Sequence, residues 1–353
     1  DAELGRRLRH CMGAEILSIS VAADGLGLTN AALEILALHL RDGVAQLRVD
    51  FRSGRAFTDS GLKALAQQLP TTLEGLSLSF GDNGSFTDYG LIVLSQHLPG
   101  ALTSLSLDFT HNDNFTDKGF VELARELPTS LSRLTLNLRH TKQLTDGGLA
   151  ALANWCPTTL TCLCLDASHN KAFTDSGLVG LAQWAPSTLL SLSLNMSHNV
   201  NFSDAALVNL AKGLPRTLCS LLLNFNCNRH FTDNGLISLA QQLPDALLTL
   251  SLDFNCNNSF TDEGLTALSQ WLPASLVALT LHMGHNLHFT DAGLLPLARE
   301  LPRALEHFVL DFSSNEVFTD AGVVALAQQI PAALRNLALD FRCHMGLSEK
   351  VLS

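Results

Sequence analysis

A short segment, Phe57–Leu62, returns along this chain at a fixed step of 29 residues. Its first three residues are Phe-Thr-Asp or a close variant, and the copies begin at Phe57, Phe86, Phe115, Leu144, Phe173, Phe202, Phe231, Phe260, Phe289 and Phe318. Leu28 begins a related copy before this series, and Leu347 begins another after it. A fixed period of this length indicates a solenoid, in which each structural unit contacts mainly its neighbours.

Residues 73–101 illustrate one repeat. Leu76, Leu78 and the apolar residues around them alternate with polar ones, which predicts a half-buried strand. Thr87 is suited to cap the start of a helix, because its hydroxyl can accept from a free backbone amide. Leucines then recur three to four residues apart until Pro99, which ends the helix. Ten of the 11 prolines occupy the Pro99 column. The repeat is therefore predicted to be strand, turn, helix, turn.

The pattern Leu-x-x-Leu-x-Leu-x-Phe-x-x-Asn followed by Phe-Thr-Asp-x-Gly-Leu-x-x-Leu-Ala-x-x-Leu-Pro resembles the leucine-rich repeats. It is most similar to their ribonuclease-inhibitor-like class. The resemblance implies an α/β horseshoe, with a parallel β-sheet on the concave face and α-helices on the convex face. Because the family consists mostly of binding modules, the resemblance also implies a binding role.

One solenoid domain over residues 1–353 is expected. Residues 1–27 form an incomplete repeat, in which Leu17, Ile19 and Val21 make a strand one residue out of phase with the others. Eleven in-phase repeats follow over residues 28–346, and residues 347–353 begin a truncated one. Because both ends fall inside a repeat, we expect a trimmed chain or an end that another protein covers. A glycine column that begins with Gly61 and ends with Gly322 is expected where helix meets strand.

The formal net charge of -11 argues against nucleic acid and anionic membranes as primary partners. Apolar runs are too short to span a bilayer, so no membrane insertion is expected. The 8 cysteines lack the dense spacing of a small secreted scaffold. They favour free thiols in a reducing, intracellular compartment, either cytoplasmic or organellar.

An asparagine column occupies the turn after each predicted strand, with interruptions at Gly54 and Thr141. Stacked amides can hydrogen-bond backbone groups of the adjacent turn that would otherwise stay unpaired. We therefore expect a structural ladder. Its members are Asn83, Asn112, Asn170, Asn199, Asn228, Asn257, Asn286 and Asn315.

A second column faces out of the strands on the concave side that the resemblance implies. Strand formation requires no acid there. The column is therefore either a solvated surface or a hydrogen-bonding stripe for a partner's Lys, Arg or backbone amides. Arg48, Arg52, Arg139 and Arg342 lie beside it and are candidates for internal ion pairs. The candidate partner-binding residues are Asp50, Asp108, Asn137, Asp166, Asn195, Asn224, Asp253, His282, Asp311 and Asp340.

A third column, the rim, directly precedes the asparagines. Imidazole and thiolate are good ligands for zinc or copper, but one column gives a line of donors whereas zinc requires a tetrahedron. A partner contact, a metal site and plain turn packing all stay open for it. A disulfide between its two cysteines depends on the directions of their side chains. The rim residues are His111, His140, His169, His198, Cys227, Cys256 and His285.

Trp155, Trp184 and Trp271 occupy equivalent positions on the predicted helices, where they form either a convex contact patch or packing between helices. Cys162 and Cys164 point out of one strand on the same face and are interpreted as incidental, because a reactive pair usually needs a helix N-terminus or nearby cations and no such helix is predicted there.

No phosphate-binding loop, paired-cysteine zinc motif or nucleophile elbow is present, so neither an enzyme nor a cofactor is expected. The leading hypothesis is a scaffold that binds a protein or peptide on its concave face. The alternative is an accessory subunit of a large assembly, docked through its convex helices and its ends. A minor alternative is transition-metal binding by the His/Cys column.

Overall fold

A computed structural model describes residues 15–20, 27–54, 56–315 and 317–342. The chain divides into two compact units, unit 1 over residues 1–172 and unit 2 over residues 173–353. Most of the predicted incomplete first repeat and the whole truncated last repeat lie outside the described residues. None of the helices within the described ranges has the length and apolar character needed to cross a membrane.

Unit 1 alternates strands with helices. Its strands are β1 (Ile16–Ser20), β2 (Gln46–Asp50), β3 (Gly75–Ser79), β4 (Ser104–Asp108), β5 (Arg133–Asn137) and β6 (Cys162–Asp166). Its helices are α1 (Asn30–His39), α2 (Asp59–Ala66), α3 (Asp88–Ser95), α4 (Asp117–Arg125) and α5 (Asp146–Trp155). The strands pair in parallel in the order of the chain, from β1 to β6.

Unit 2 repeats this arrangement. Its strands are β7 (Ser191–Asn195), β8 (Ser220–Asn224), β9 (Thr249–Asp253), β10 (Ala278–His282), β11 (His307–Asp311) and β12 (Asn336–Asp340). Its helices are α6 (Asp175–Trp184), α7 (Asp204–Gly213), α8 (Asp233–Ala240), α9 (Asp262–Gln270), α10 (Asp291–Glu300) and α11 (Asp320–Gln328). These strands also pair in parallel in chain order, from β7 to β12.

The strand register confirms the 29-residue step. Leu76 pairs with Leu105, and Leu105 pairs with Leu134. Leu17 pairs instead with Leu47, which confirms that the first strand is one residue out of phase. The predicted α/β leucine-rich repeat architecture of parallel strands alternating with helices is confirmed.

The interior of each unit is built from the same leucine and phenylalanine columns. In β4, Leu105 and Leu107 are buried, and Phe109 after the strand packs edge-on against Phe115 with ring centroids 4.9 Å apart. In unit 2, Phe225 and Phe231 make the same contact at 5.2 Å. Burial of each such side chain contributes about 1.5–3 kcal/mol, so the repeated apolar columns supply the main stabilisation.

Most helices begin with a threonine or serine cap, and from α2 onward with an aspartate whose carboxylate in most repeats bonds to the next repeat. Thr87 Oγ1 accepts from the backbone N–H of Tyr89 at 3.2 Å. Asp59, one repeat earlier, accepts from Thr87 N–H at 2.9 Å through Oδ1 and from the Thr87 hydroxyl at 2.6 Å through Oδ2. The repeated Asp therefore links successive helix starts, in addition to its favourable place at the helix N-terminus.

The glycine column accommodates this carboxylate. A Cβ added to Gly90 would lie 2.3 Å from Asp59 Oδ1, and one added to Gly264 would lie 2.3 Å from Asp233 Oδ1. The prediction that these glycines lie where helix meets strand is therefore wrong. The close neighbour of each of these glycines is the first residue of the preceding helix.

Candidate functional site

The strand face, defined as the first, third and fifth residues of every strand, is the open side of each unit. In β9, Leu250 and Leu252 are fully buried, whereas Thr249, Ser251 and Asp253 are half-buried. The same alternation runs through most of the other strands, because successive side chains of a strand point to opposite sides of the sheet. Each unit therefore presents three outward columns to solvent.

The polar column predicted to bind a partner is the fifth position of the strands. In unit 1, Asp108 pairs with Asn137, and Asn137 pairs with Asp166. In unit 2, Asn224 pairs with Asp253, and Asp253 pairs with His282. The structure thus brings these residues side by side within each unit, as the 29-residue step predicts.

This column also has a structural task. Asp108 Oδ1 accepts from the backbone N–H of Thr110 at 3.1 Å, and Asp253 Oδ1 accepts from that of Asn255 at 3.1 Å. The same bond to the residue two positions later is made by Asp50, Asn137, Asp166, Asn195, Asn224, Asp311 and Asp340. The assumption that folding makes no demand on these side chains is therefore wrong, because their oxygen stabilises the turn that ends each strand.

Two acids of the column are neutralised locally. Arg52 donates to Asp50 through Nε at 3.0 Å and through Nη2 at 2.9 Å. This bidentate hydrogen bonding lowers the pKa of Asp50. Arg342 pairs with Asp340 in the same way, with Nε 2.9 Å from Oδ1. The expectation that some acids are satisfied internally is confirmed for these two.

Asp253 has a different environment. Burial raises its pKa, and the charge of Asp311 acts in the same direction. His282 lies between these two carboxylates in the column, with Nδ1 3.5 Å from Asp311 Oδ2. Of the two carboxylate oxygens of Asp253, only Oδ1 accepts a hydrogen bond from the described residues. Asp253 is thus a partly desolvated carboxylate with an acceptor oxygen to spare.

The rim follows the polar column, and its backbone is left-handed throughout. The φ angles are 58° at His111, 59° at His140 and 60° at Cys227. Histidine tolerates this conformation better than most residues do, which supplies a reason for its repeated use that the sequence analysis missed. The left-handed residues are Ser53, Asp82, His111, His140, His169, His198, Cys227, Cys256, His285 and Ser314.

In unit 1 the rim is a stack of imidazoles. The ring centroids of His111 and His140 are 4.2 Å apart with an interplanar angle of 16°. Those of His140 and His169 are 4.3 Å apart at 23°. Burial lowers the pKa of His140, and the charge of His111 lowers it further. The fold therefore favours the neutral form of the His140 ring, which lies between the other two rings of the stack.

In unit 2 the rim includes two free thiols, Cys227 and Cys256. Burial raises the pKa of Cys227 to about 11, and the neighbouring Cys256 contributes to that shift through its charge and a hydrogen bond. His198 and His285 are exposed. Among the described residues, no group of three or more His, Cys, Asp and Glu side chains is arranged to hold a metal ion.

The asparagine ladder has the expected structural geometry. Asn257 Nδ2 donates to the Phe225 carbonyl of the preceding repeat at 3.2 Å and to the Phe254 carbonyl of its own repeat at 3.0 Å. In unit 1, Thr141 donates only to the Leu138 carbonyl of its own repeat. The ladder is therefore weakened at Thr141, as its sequence predicts.

On the helix side, Trp155 and Trp271 are 49% and 51% exposed, and Trp184 is half-buried. The guanidinium of Arg125 lies 5.3 Å from the ring centroid of Trp155, so that ring is partly covered by a cation. Cys162 and Cys164 both face outward from β6, as predicted.

Comparison with known proteins supports the repeat architecture. A family model described as Leucine Rich repeat matches residues 134–153, 250–269 and 309–327. No curated protein sequence is significantly similar to the chain. A chain in the crystal structure of the Rad7 and Elc1 complex from yeast is similar in fold, with TM-score 0.54 and 19% identity over 99% of this chain and 91% of that chain.

Two further solved structures are similar at lower scores. LegL7, a leucine-rich repeat-containing protein from Legionella pneumophila, gives TM-score 0.47 and 19% identity over 79% of this chain and 86% of that chain. A chain of the TLR13-ssRNA13 complex also gives 0.47 and 19% identity, over 80% of this chain and 38% of that chain. The matched repeat model, the fold shared with the yeast structure and the parallel strands at 29-residue steps show that this chain has the leucine-rich repeat fold.

Proposed function

We propose that this protein is a non-enzymatic interaction scaffold that binds a protein or peptide on its strand face. The observation that carries the proposal is the open strand face itself. Its outward positions are polar or half-buried at nearly every strand, while the intervening leucines are fully buried. Leucine-rich repeat scaffolds commonly mediate protein–protein interaction and are generally non-catalytic.

The chemistry of the strand face supports a polypeptide partner. Asp253, Asn224 and Asn195 present side chains that hydrogen-bond within their own turns through one oxygen. Carboxylates and amides have further donor or acceptor capacity, which suits the N–H and C=O groups and the cations of a polypeptide.

The test blocks the strand face of each unit with one bulky cation. Ser106→Arg in β4 and Thr280→Arg in β10 replace half-buried outward residues, and Gln241→Arg introduces the same side chain at an exposed position after α8. Each variant serves as bait in native extract, with quantitative mass spectrometry of the captured proteins. We expect at least one strand-face variant to lose a captured partner at least tenfold, with its melting temperature unchanged and with capture by Gln241→Arg retained.

A second candidate, docking through the helix side as part of a larger assembly, is favoured by the exposure of Trp155 and Trp271. Large exposed aromatics are frequent in interface hot spots. The same experiment separates the two functions when Trp271→Ser is added. A partner that is lost with Trp271→Ser and retained by both strand-face variants contradicts strand-face binding and supports helix-side docking.

A further inference from the structure

The residues directly before strands β7 to β10 of unit 2 form a partly exposed apolar row. Leu190 and Leu248 are each 46% exposed, and Cys219 and Val277 are half-buried. Leu222, which lies at the centre of β8 on the strand face, is 37% exposed beside them. We call these five residues the leucine edge. Single exposed leucines are ordinary on a protein surface, but a contiguous apolar row that includes several of them is typical of an interaction site.

The backbone holds this row in regular order. The Leu190 carbonyl accepts from the N–H groups of Cys219 at 2.8 Å and Ser220 at 3.0 Å. The Cys219 carbonyl accepts in the same way from Leu248 at 2.8 Å, and the Leu248 carbonyl accepts from Val277 at 2.9 Å. The side chains of the row are therefore fixed at the spacing of neighbouring parallel strands, about 4.8 Å.

Unit 1 shows that folding does not require apolar residues at this position. The equivalent backbone bonds join Glu74, Thr103, Ser132 and Thr161. The hydroxyls of the two threonines and the serine donate to the preceding carbonyl of the row, with Thr103 Oγ1 3.0 Å from the Glu74 carbonyl and Thr161 Oγ1 3.0 Å from the Ser132 carbonyl. Since polar residues satisfy the same geometry, the leucines of unit 2 are available for a purpose other than folding.

The spacing of the leucine edge selects a helix as its occupant. Residues three or four apart on one side of an α-helix are separated by about 4.5–6 Å along the axis, close to the strand spacing of about 4.8 Å. Alternate residues of an extended chain are separated by about 6.6 Å and lose register over the row. A helix running across the strands therefore places one apolar side chain against each repeat.

The charges near the leucine edge indicate that the bound helix carries basic residues. Asp253 lies five residues after Leu248 on β9, about 16 Å along the strand. It is partly desolvated and retains an acceptor oxygen, and Asp311 lies two strands away. The only basic group between these two carboxylates in the polar column is His282. A lysine or arginine on the flank of the bound helix that extends over the strand face would pair with Asp253.

We infer that the leucine edge binds the apolar side of an amphipathic, basic helix contributed by a partner protein. This inference rests on the proposed function, of which it specifies the partner and the site. The leucines make the buried apolar contact with the helix. Asp253 pairs with a lysine or arginine of the helix and thereby orients its basic flank toward the strand face.

The test uses a fluorescein-labelled synthetic peptide of 18 residues with leucines at positions i, i+4, i+7 and i+11 and lysines along one flank. A second peptide has the same composition in an order that spreads the leucines around the helix. Fluorescence anisotropy measures both against the full chain. We expect the amphipathic peptide to bind more tightly than the shuffled one by about tenfold or more, since only the amphipathic order buries all of its leucines on one side and keeps its lysines on the other.

Three variants test whether the peptide binds at the leucine edge. Leu190→Ser with Leu248→Ser should weaken binding of the amphipathic peptide by about tenfold or more, because two apolar side chains that the peptide buries are lost. Leu287→Ser removes an equally exposed leucine, 52% exposed, from a turn of the same unit and should change nothing. Asp253→Asn keeps the turn hydrogen bond, removes the charge and should weaken binding about threefold, more at low salt than at high salt.

Equal affinity for the two peptides, no binding of either, or unchanged affinity in the double leucine variant would overturn the inference. Its failure is distinguishable from failure of the proposed function. A natural partner that is lost with Thr280→Arg and retained by the double leucine variant leaves strand-face binding intact and excludes the leucine edge. A partner retained by every strand-face variant contradicts the proposed function itself.

Discussion

The residue before each strand is polar across much of unit 1 and apolar across much of unit 2, although its backbone makes the same hydrogen bonds in both. Thr103 and Ser132 fold their hydroxyls onto the preceding carbonyl, whereas Leu190 and Leu248 extend into solvent. The rim differs as well, since unit 1 has stacked histidines and unit 2 has two thiols. Surface columns that vary while the backbone stays constant are where specificity is expected in a repeat protein.

The interiors of the two units, by contrast, contain the same contacts at equivalent positions. Gly119 lies against Asp88 in unit 1 as Gly264 lies against Asp233 in unit 2. In both units the carboxylate is fixed by the next threonine, Thr116 or Thr261. The two units should therefore respond alike to interior changes and differently to changes in the surface columns.

The largest expected effect comes from filling the glycine column. A Cβ at position 119 would lie 2.5 Å from Asp88 Oδ1, and one at position 264 would lie 2.3 Å from Asp233 Oδ1. Gly119→Ala and Gly264→Ala should each lower the free energy of unfolding by about 1–3 kcal/mol, despite the better helix propensity of alanine. Denaturant unfolding followed by circular dichroism measures the loss.

Gly100→Ala is the matched control, because nothing lies within 4 Å of the added Cβ. It should leave stability nearly unchanged. A large loss for Gly119→Ala with none for Gly264→Ala would show that the helix starts of the two units are not equivalent, and the comparison of their interiors would then break down.

The asparagine ladder can be tested by opposite substitutions in the two units, Asn to Thr in unit 2 and Thr to Asn in unit 1. Asn257→Thr should remove the bond to the Phe225 carbonyl and cost about 1–2 kcal/mol. Thr141→Asn should add the missing bond toward the Phe109 carbonyl and stabilise unit 1 by about 0.5–1.5 kcal/mol. Unfolding of both variants in urea measures whether each substitution lowers or raises the free energy of unfolding. Destabilisation by Thr141→Asn would indicate that the turn of that repeat has no room for the amide.

The repeat period alone predicted the strands, the helices, the asparagine ladder and the adjacency of the polar column within each unit. It predicted less about why particular residues stand in their columns. The repeat pattern predicts a partner contact at Asp253, but it does not show that Oδ1 of this residue also closes the turn at Asn255. The pattern leaves a partner contact, a metal site and turn packing open for His140, but it does not show that this position has a left-handed backbone. These roles depend on local dihedral angles, which a 29-residue periodicity does not reveal.

The leucine edge was not predicted for a related reason. Leu248 immediately precedes β9, and its apolar character extends the hydrophobic pattern of the strand in the sequence. Strict alternation would place it inside. The shared carbonyl of Cys219, which accepts from both Leu248 and Thr249, interrupts the alternation and leaves Leu248 exposed.

The smallest expected effect is a pH dependence confined to the histidine rim of unit 1. Burial and the neighbouring His111 lower the pKa of His140 below its ordinary value of 6.5. The folded state therefore favours the neutral ring. The stability that depends on this is present above the unfolded pKa and is lost as the pH falls through the lower, folded-state value. Unit 1 should loosen at its rim as the pH falls below about 6.5.

His140→Asn removes the titrating ring and keeps a residue that accepts the left-handed backbone, whose φ is 59°. Hydrogen exchange of the His140 amide, which donates to the Ser168 carbonyl at 3.2 Å, should quicken between pH 7.5 and 5.5 in the wild type after correction for intrinsic rates. In the variant the exchange at position 140 should stay nearly constant. His285→Asn is the control in unit 2, and it should leave the response of unit 1 unchanged. An identical acid response in wild type and His140→Asn would mean that the stacked rings play no part in it. The rims of the two units would then differ in composition without differing in how they respond to acid.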